Sequence, residues 1–528
     1  MVYNNKMLQL LSDTKIYRKI GKCLTFALQN KNNALVKKWF EEKLIGKATL
    51  QNLTIVNAIP CRIYGLVKTH KEGMPLRPIV SALKSPFYNL SKYFGNILEK
   101  VVGKSGNTVK NTYEFIDFLK TQSVPDDVVL ASLDVVSMYT NIPIKLALDV
   151  IKEKWLTIAP HTTLPEDQFL AGIKACLEST VFTFGDECFK QINGLAMGSP
   201  VSANVANLVM EYFEEKLFQV FPYKLLFYKR FADDIILCCH KDDLDNVFHF
   251  FNNFSSNIKF TLEREVNNSL NFLDVSVIKN RGKLITSWFK KPIFSGRYLN
   301  FLSVQPFPQK INVVKNLATR VCLLTHPLLR KDKIKEAKQL LIENCYPLSL
   351  IESIFAEVIN SCYNGFPPRK NREKEETVVG PYLSSCSEKL SAAIKPYGLT
   401  LVTTNKGNLK GFQTAVKTKI PTEKMSDVVY EIPCKGCPGV YIGQTSQYVH
   451  KRLDGHKFNK HEKTALKQHV KETNHQFDYD NTRVLKQEKN EQVRLNLEGL
   501  SILKNSNALN SRTEFSHFED YLVGTDTF

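Results

Sequence analysis

The stretch Arg230-Phe231-Ala232-Asp233-Asp234-Ile235 limits what this chain can fold into more than any other. Apolar runs of strand length flank it, Leu225-Leu226-Phe227-Tyr228 on one side and Ile235-Ile236-Leu237-Cys238-Cys239 on the other. Aromatic and β-branched residues joined by so short a connection predict a β-hairpin with two carboxylates at its tip. Adjacent acids at a turn repel each other and gain nothing from packing. A divalent cation over them removes the conflict, because hard oxygen ligands suit Mg²⁺. The plain alternative is a solvated Asp-Asp turn. A third acid argues against it: Val128-Val129-Leu130-Ala131-Ser132-Leu133-Asp134-Val135 is another β-prone run that carries a carboxylate at its C-terminal end. Carboxylates from two adjacent strands can bridge two metal ions about 3.5–4 Å apart, one activating an attacking hydroxyl and the other neutralising a leaving pyrophosphate.

Three stretches carry a family resemblance: Leu133-Asp134-Val135-Val136-Ser137-Met138-Tyr139-Thr140-Asn141-Ile142-Pro143, Gln191-Ile192-Asn193-Gly194-Leu195-Ala196-Met197-Gly198-Ser199-Pro200 and Phe231-Ala232-Asp233-Asp234. They resemble the palm motifs of reverse transcriptases, and the first is most similar to the Penelope-like retroelements, relatives of telomerase. The resemblance implies an α+β right-hand polymerase of fingers, palm and thumb. Asp134, Asp233 and Asp234 would be the catalytic ligands of two Mg²⁺. It also implies that Gln191 and Gly194 lie by the template and nascent base pair. Tyr139 has two readings: an aromatic that packs under the nucleotide sugar and excludes a 2′-hydroxyl, or a core tyrosine.

Upstream, Arg62 to Ser81 reads as two strands around a basic Gly/Pro turn. Cations over an incoming triphosphate offset charge on its phosphates. In front of the palm acids, Arg77 and Lys68, with Lys71 beside them, suit that role better than a solvated face. Val67 stands where the family has proline. Asp274, in Asn271-Phe272-Leu273-Asp274-Val275, is read as structural, and Cys238 and Cys239 as core residues.

With 71 Lys and Arg against 52 Asp and Glu over 528 residues, the net charge of +19 favours a polyanionic partner. No apolar run is long enough to span a bilayer, and Met1-Val2-Tyr3-Asn4-Asn5-Lys6 lacks a signal-peptide core. The 12 cysteines are irregularly scattered, a reduced intracellular pattern. Together with the resemblance they place the expected site of action inside the cell, in the nucleus where insertion occurs.

The expected division is a helical region at 1–60, fingers and palm at 61–290, a basic helical thumb at 291–362, a linker and connecting segment at 363–423, and a last domain at 424–528. In that domain Val428 to Pro433 and Val440 to Thr445 read as paired strands around Cys434-Lys435-Gly436-Cys437-Pro438-Gly439, followed by a helix with Arg452 and His456 on one face. This stretch resembles the GIY-YIG nucleases in the form fused to Penelope-like reverse transcriptases, a small α/β domain. The resemblance implies that Tyr430 and Tyr441 frame the nucleophile, Arg452 and His456 serve the phosphate, and Glu498 binds one Mg²⁺. Val428-Val429-Tyr430 departs from Gly-Ile-Tyr but keeps the tyrosine. Cys434, Cys437, His469 and His475 have C-x₂-C and H-x₅-H spacing compatible with structural Zn²⁺; two surface cysteines and two ordinary histidines are the alternative.

The implied function is RNA-templated DNA synthesis from dNTPs, primed by a 3′ end that the nuclease exposes in target DNA. Its partners would be an RNA template, a DNA primer and target DNA, with no membrane. The runner-up is a domesticated or inactive element protein that binds nucleic acid without catalysis.

Overall fold

The computed structural model describes residues 2–69, 73–364, 376–404, 417–458 and 464–511. Lys71 and the basic cluster Pro367 to Lys374 of the expected linker lie outside them.

The molecule is built on a four-stranded antiparallel sheet ordered Leu225–Phe231, Asp234–His240, Val128–Val135, Phe260–Arg264. Every residue from Ile235 to Cys239 is buried, which explains the unbroken apolar run. Side chains alternate across a strand, so a sheet covered on both faces has no polar positions to spare. Here Ile235, Leu237 and Cys239 enter one core, while Ile236 and Cys238 enter another. Burying an isoleucine or leucine this way stabilises by about 1.5–3 kcal/mol each, enough to anchor a strand that begins on an acid. The first core holds helices Tyr88–Leu98, Glu166–Glu178 and Ser202–Val220 against the sheet. The second binds helix Thr112–Lys120 and the later helices Phe307–Leu324 and Leu348–Asn364, so these later helices share a core with the four-stranded sheet.

A second sheet is ordered Tyr17–Ile20, Glu187–Gln191, Val181–Phe184, Cys61–Val67, Leu76–Ser81. Its edge strand comes from the N-terminal region, which is therefore not purely helical. Tyr17 and Phe182 pack edge to face in its core. Residues 271–275 lie outside the four-stranded sheet. They form the turn of a separate three-stranded sheet, Ser269–Phe272, Val275–Asn280, Lys283–Trp288. Phe272 pairs with Val275, and Leu273 takes φ +54°, so a two-residue hairpin reverses the chain.

The connecting segment has structure of its own. Strands Glu376–Pro381 and Leu399–Thr404 pair in parallel around helix Cys386–Ile394. The last domain has a sheet ordered Val440–Thr445, Val428–Pro433, Arg483–Gln487, with helices Val449–Phe458, Ala465–Thr473 and Glu491–Lys504. It is seated against the segments that flank strands Cys61–Val67 and Leu76–Ser81: Tyr448 donates to the Ala58 carbonyl at 2.6 Å, Asn57 to Ser446 O at 2.7 Å, and Asp427 pairs with Lys84 at 3.8 Å.

Candidate active site

Pairing register decides the geometry of the palm acids. Asp134 lies directly opposite Asp234, and Asp233 occupies the turn between Phe231 and Asp234. Val135 N donates to Asp233 O at 3.1 Å, tying the strand that bears Asp134 to that turn. The three carboxylates line a cleft of about 1080 Å³ together with Lys68, Arg77 and Tyr139. Burial pushes the Asp234 carboxyl up to about 6, and the neighbouring charges of Asp233 and Asp134 add to the shift, with Lys291 and Arg77 opposing it. Like charges held this close disfavour simultaneous ionisation.

Each remaining residue predicted for this site has a definite place. Arg77 projects from strand Leu76–Ser81, and Lys68 N closes the same hairpin on Pro75 O at 2.9 Å. Tyr139 is half-buried and lines the cleft. Burial pushes its phenol up, Asp233 adds to this and Arg77 opposes it. Its carbonyl accepts from Leu195 N at 2.6 Å. Gly194 supports that contact at φ +75°, where a Cβ would lie 2.5 Å from Thr140 O. Only glycine permits so close an approach. Gln191 is 4% exposed and its amide donates to Asn193 O at 3.0 Å, so it braces the loop from within. Asp274 accepts from Arg320 at 2.6 Å and from Thr112 at 3.4 Å.

Residues 69–265 match the family model of the reverse transcriptase (RNA-dependent DNA polymerase), a span that contains all three palm acids. The chain carries a reverse transcriptase domain. Residues 297–356 match a second model, the animal helix-turn-helix domain, across helices Phe307–Leu324 and Pro327–Glu343. No curated protein matches the chain. Among solved structures it is similar to telomerase from Candida albicans in complex with a TWJ fragment of telomeric RNA, at 11% identity and TM-score 0.38, covering 62% of this chain and 65% of that one. Apo telomerase from Candida tropicalis gives 11% identity and TM-score 0.35, covering 65% of each chain. The BmCPV RNA-dependent RNA polymerase at elongation state gives 14% identity and TM-score 0.37, covering 69% of this chain and 33% of that one. This chain thus spans 65% of the length of either telomerase. No described helix is long and apolar enough to cross a membrane.

Sequence reasoning missed two contributors to the reverse transcriptase cleft. Lys291, read only as a thumb cation, lowers the Asp234 pKa from beyond strand Lys283–Trp288. Glu263, opposite Ser132 on the neighbouring strand, adds a fourth acid to the lining. The Lys290-Lys291-Pro292 run was a visible signal; nothing local linked it to the palm.

The last domain gathers a second set. The Tyr430 hydroxyl and His456 Nε2 are hydrogen-bonded at 2.7 Å, and the Tyr441 ring meets the His456 ring edge to face at 5.1 Å. Burial drives the Tyr430 phenol far up; Tyr441 adds, Arg452 opposes and Glu498 adds, which brings all five predicted residues into one neighbourhood. Gly443 makes room for them, since a Cβ there would lie 2.8 Å from the Tyr430 hydroxyl. Val428, in place of glycine, is fully buried in the domain core.

Beside this set, Cys434, Cys437, His469 and His475 converge, with all four ligand atoms within 4.8 Å of one another. Local capping produces the arrangement. Thr464 caps the helix bearing His469, and Asn474, at φ +57°, ends it so that His475 turns back. His469 Nε2 lies 3.4 Å from Cys434 Sγ and 3.5 Å from Cys437 Sγ. Zn–S and Zn–N bonds in a tetrahedron subtend an edge of about 3.6 Å. The Gly436 and Gly439 N–H groups donate to the two sulfurs at 3.4 Å, and His475 Nδ1 is buried without a hydrogen bond. Donor chemistry and spacing both fit Zn²⁺.

Proposed function

We propose that this is the protein of a Penelope-like retroelement, which copies RNA into DNA in the palm cleft and nicks target DNA with a GIY-YIG-type domain to expose the primer. The observation that carries the polymerase half is the register of Asp134 against Asp234, with Asp233 beside them and a proton favoured on Asp234 up to about pH 6. Three mutually repelling oxygen donors fit a pair of Mg²⁺ ions. Asp134, Asp233 and Asp234 would hold that pair, which would supply acidification of a primer hydroxyl and charge neutralisation for a departing pyrophosphate. The chain supplies the rest. Arg77 and Lys68 present their own positive charges at the side of the cleft where a triphosphate would lie. Tyr139 forms the wall under the sugar, fixed by the Leu195 contact to its backbone. Basic residues of the thumb hold the nucleic-acid backbone without reading sequence.

In the last domain, Arg452 provides the cation for a scissile phosphate and His456 with Tyr430 and Tyr441 orients the attacking water, a task within reach of hydrogen-bonded phenols and imidazole. Glu498 would hold one Mg²⁺. Cys434, Cys437, His469 and His475 would hold a structural Zn²⁺.

Primer extension on RNA and DNA templates tests the reading. Mg²⁺-dependent extension on RNA, lost in Asp233→Asn, is expected. Extension on DNA alone would make the chain a DNA-templated polymerase. RNA binding with no incorporation would make it a binding protein.

A further inference from the structure

Arg230 directly precedes the tip that bears the palm acids, yet it is 0% exposed and faces Glu214 at 2%. Burying two charges costs several kcal/mol per ion in desolvation, and a packed apolar pair often does as well. What else the guanidinium touches is therefore informative. Nε donates to Glu214 Oε1 at 2.5 Å and Nη2 to Oε2 at 3.5 Å, while the Tyr228 hydroxyl donates to the same Oε1 at 2.7 Å. Nη1 points the other way, donating to the Ala232 carbonyl at 3.0 Å and to Asn207 Oδ1 at 3.2 Å.

Ala232 is the strained member of the turn, at φ +53°. A left-handed conformation brings an alanine Cβ too close to the following carbonyl oxygen and is strained. Its carbonyl belongs to the peptide unit that leads into Asp233, so a donor there fixes where that carboxylate springs from. The anchor is itself rigid. Arg230 N donates to Asn107 O at 2.8 Å and its carbonyl accepts from Val109 N at 2.9 Å. Asn207 and Glu214 lie on one face of helix Ser202–Val220, which continues directly from the Gly194 to Pro200 loop.

We propose that Arg230, held by Glu214, is a positioning residue for Asp233 and Asp234: its guanidinium clamps the Ala232 carbonyl and keeps the strained turn in the geometry that binds metal. The inference rests on reading those acids as metal ligands. Arginine suits the task because its planar fork reaches a carboxylate and a carbonyl at once, which a lysine ammonium does not.

Two variants of the full chain test it. Arg230→Lys keeps a charge beside Glu214 and loses the fork; Glu214→Gln/Arg230→Met removes both charges together, so no ion is stranded if the single variant fails to fold. Mn²⁺ binding is read by electron paramagnetic resonance, counting the part abolished by Asp233→Asn, alongside thermal melting and Mg²⁺ titration of primer extension. Loss of a group that orients a ligand typically weakens metal binding about 10- to 100-fold. The expected result is a loss of that size, with a matching rise in the Mg²⁺ needed for half-maximal extension and recovery of rate at high Mg²⁺. A cooperatively folded variant with wild-type Mn²⁺ affinity would overturn the clamp, as would wild-type protein that binds no Mn²⁺ at these acids. Wild-type protein that binds Mn²⁺ but extends no primer refutes the polymerase reading separately, while the ratio of affinities still decides the clamp.

Discussion

In the palm cleft three carboxylates, two from paired antiparallel strands and Asp233 from the turn beside them, line one cavity, and Arg77 and Lys291 offset their charge only in part. Around Tyr430 the groups are mixed: two phenols, an imidazole, a guanidinium and one carboxylate, with Tyr430 and His456 hydrogen-bonded in a buried core. The first cluster sets like charges against one another, whereas the second mixes neutral rings with charges of both signs. Metal at the palm should therefore relieve repulsion as well as do chemistry. In the last domain, metal at Glu498 should matter for chemistry alone, with the Cys434, Cys437, His469 and His475 cluster carrying the structural load.

The largest expected effect separates the two sites outright. Asp233→Asn should lower Mg²⁺-dependent extension about a thousandfold or more, since metal stabilisation worth several kcal/mol is lost and each 1.4 kcal/mol is tenfold. DNA nicking should be unchanged. Nicking that falls in parallel would mean that the sites are not independent. Glu498→Ala is the mirror experiment: nicking of supercoiled DNA should disappear while a supplied primer is still extended. A variant that still nicks in Mg²⁺ would remove Glu498 from the second site.

How much of this contrast was legible in the sequence follows from how local each contact is. Hairpin Leu225 to His240 and hairpin Cys61 to Ser81 could be read because their registers are set by short turns and apolar alternation. The C-x₂-C turn was legible for the same reason. The Arg230–Glu214 pair was not, because nothing at either position announces a partner 16 residues away, nor that both would be buried. Strand Tyr17–Ile20 pairs with Glu187–Gln191, and a four-residue strand in a basic, helix-rich region carries too little pattern to be seen. The parallel pair Glu376–Pro381 and Leu399–Thr404 was hidden by the polar stretch before it. The expected linker suggested a detached last domain, whereas Tyr448 buries its hydroxyl on the Ala58 carbonyl, a contact invisible until both surfaces exist.

Third in size is the structural metal. Cys437→Ser, or chelation of the wild type, should lower the melting temperature of the last domain and expose its backbone to hydrogen exchange, since a structural zinc couples binding to folding. The domain has its own small cores around Tyr430 and Ile502, so it should loosen without unfolding completely. Elemental analysis showing no zinc in protein purified without chelators would sink this assignment.

The smallest effect is a difference in pH response. The folded Asp234 pKa is raised to about 6 from an ordinary 3.8, burial first and then Asp233 and Asp134 being the causes. A raised carboxyl binds its proton more tightly folded than unfolded. Its contribution is therefore favourable below the unfolded value and is lost as pH rises through the folded one. Without metal, Asp234→Asn should melt a few degrees above wild type at pH 7.5, and that gain should shrink between pH 6 and 4 as the wild-type carboxylate takes up its proton. Added Mg²⁺ should close the gap at pH 7.5 from the other side, because only the wild type can use it. Tyr430→Phe has no counterpart to this behaviour, since burial holds its phenol protonated across the whole range. Its cost, the lost hydrogen bond to His456, should be flat with pH wherever that imidazole keeps one charge state. A gap between Asp234→Asn and wild type that is independent of pH would mean that neither burial nor the neighbouring acids raise the Asp234 pKa in the folded protein.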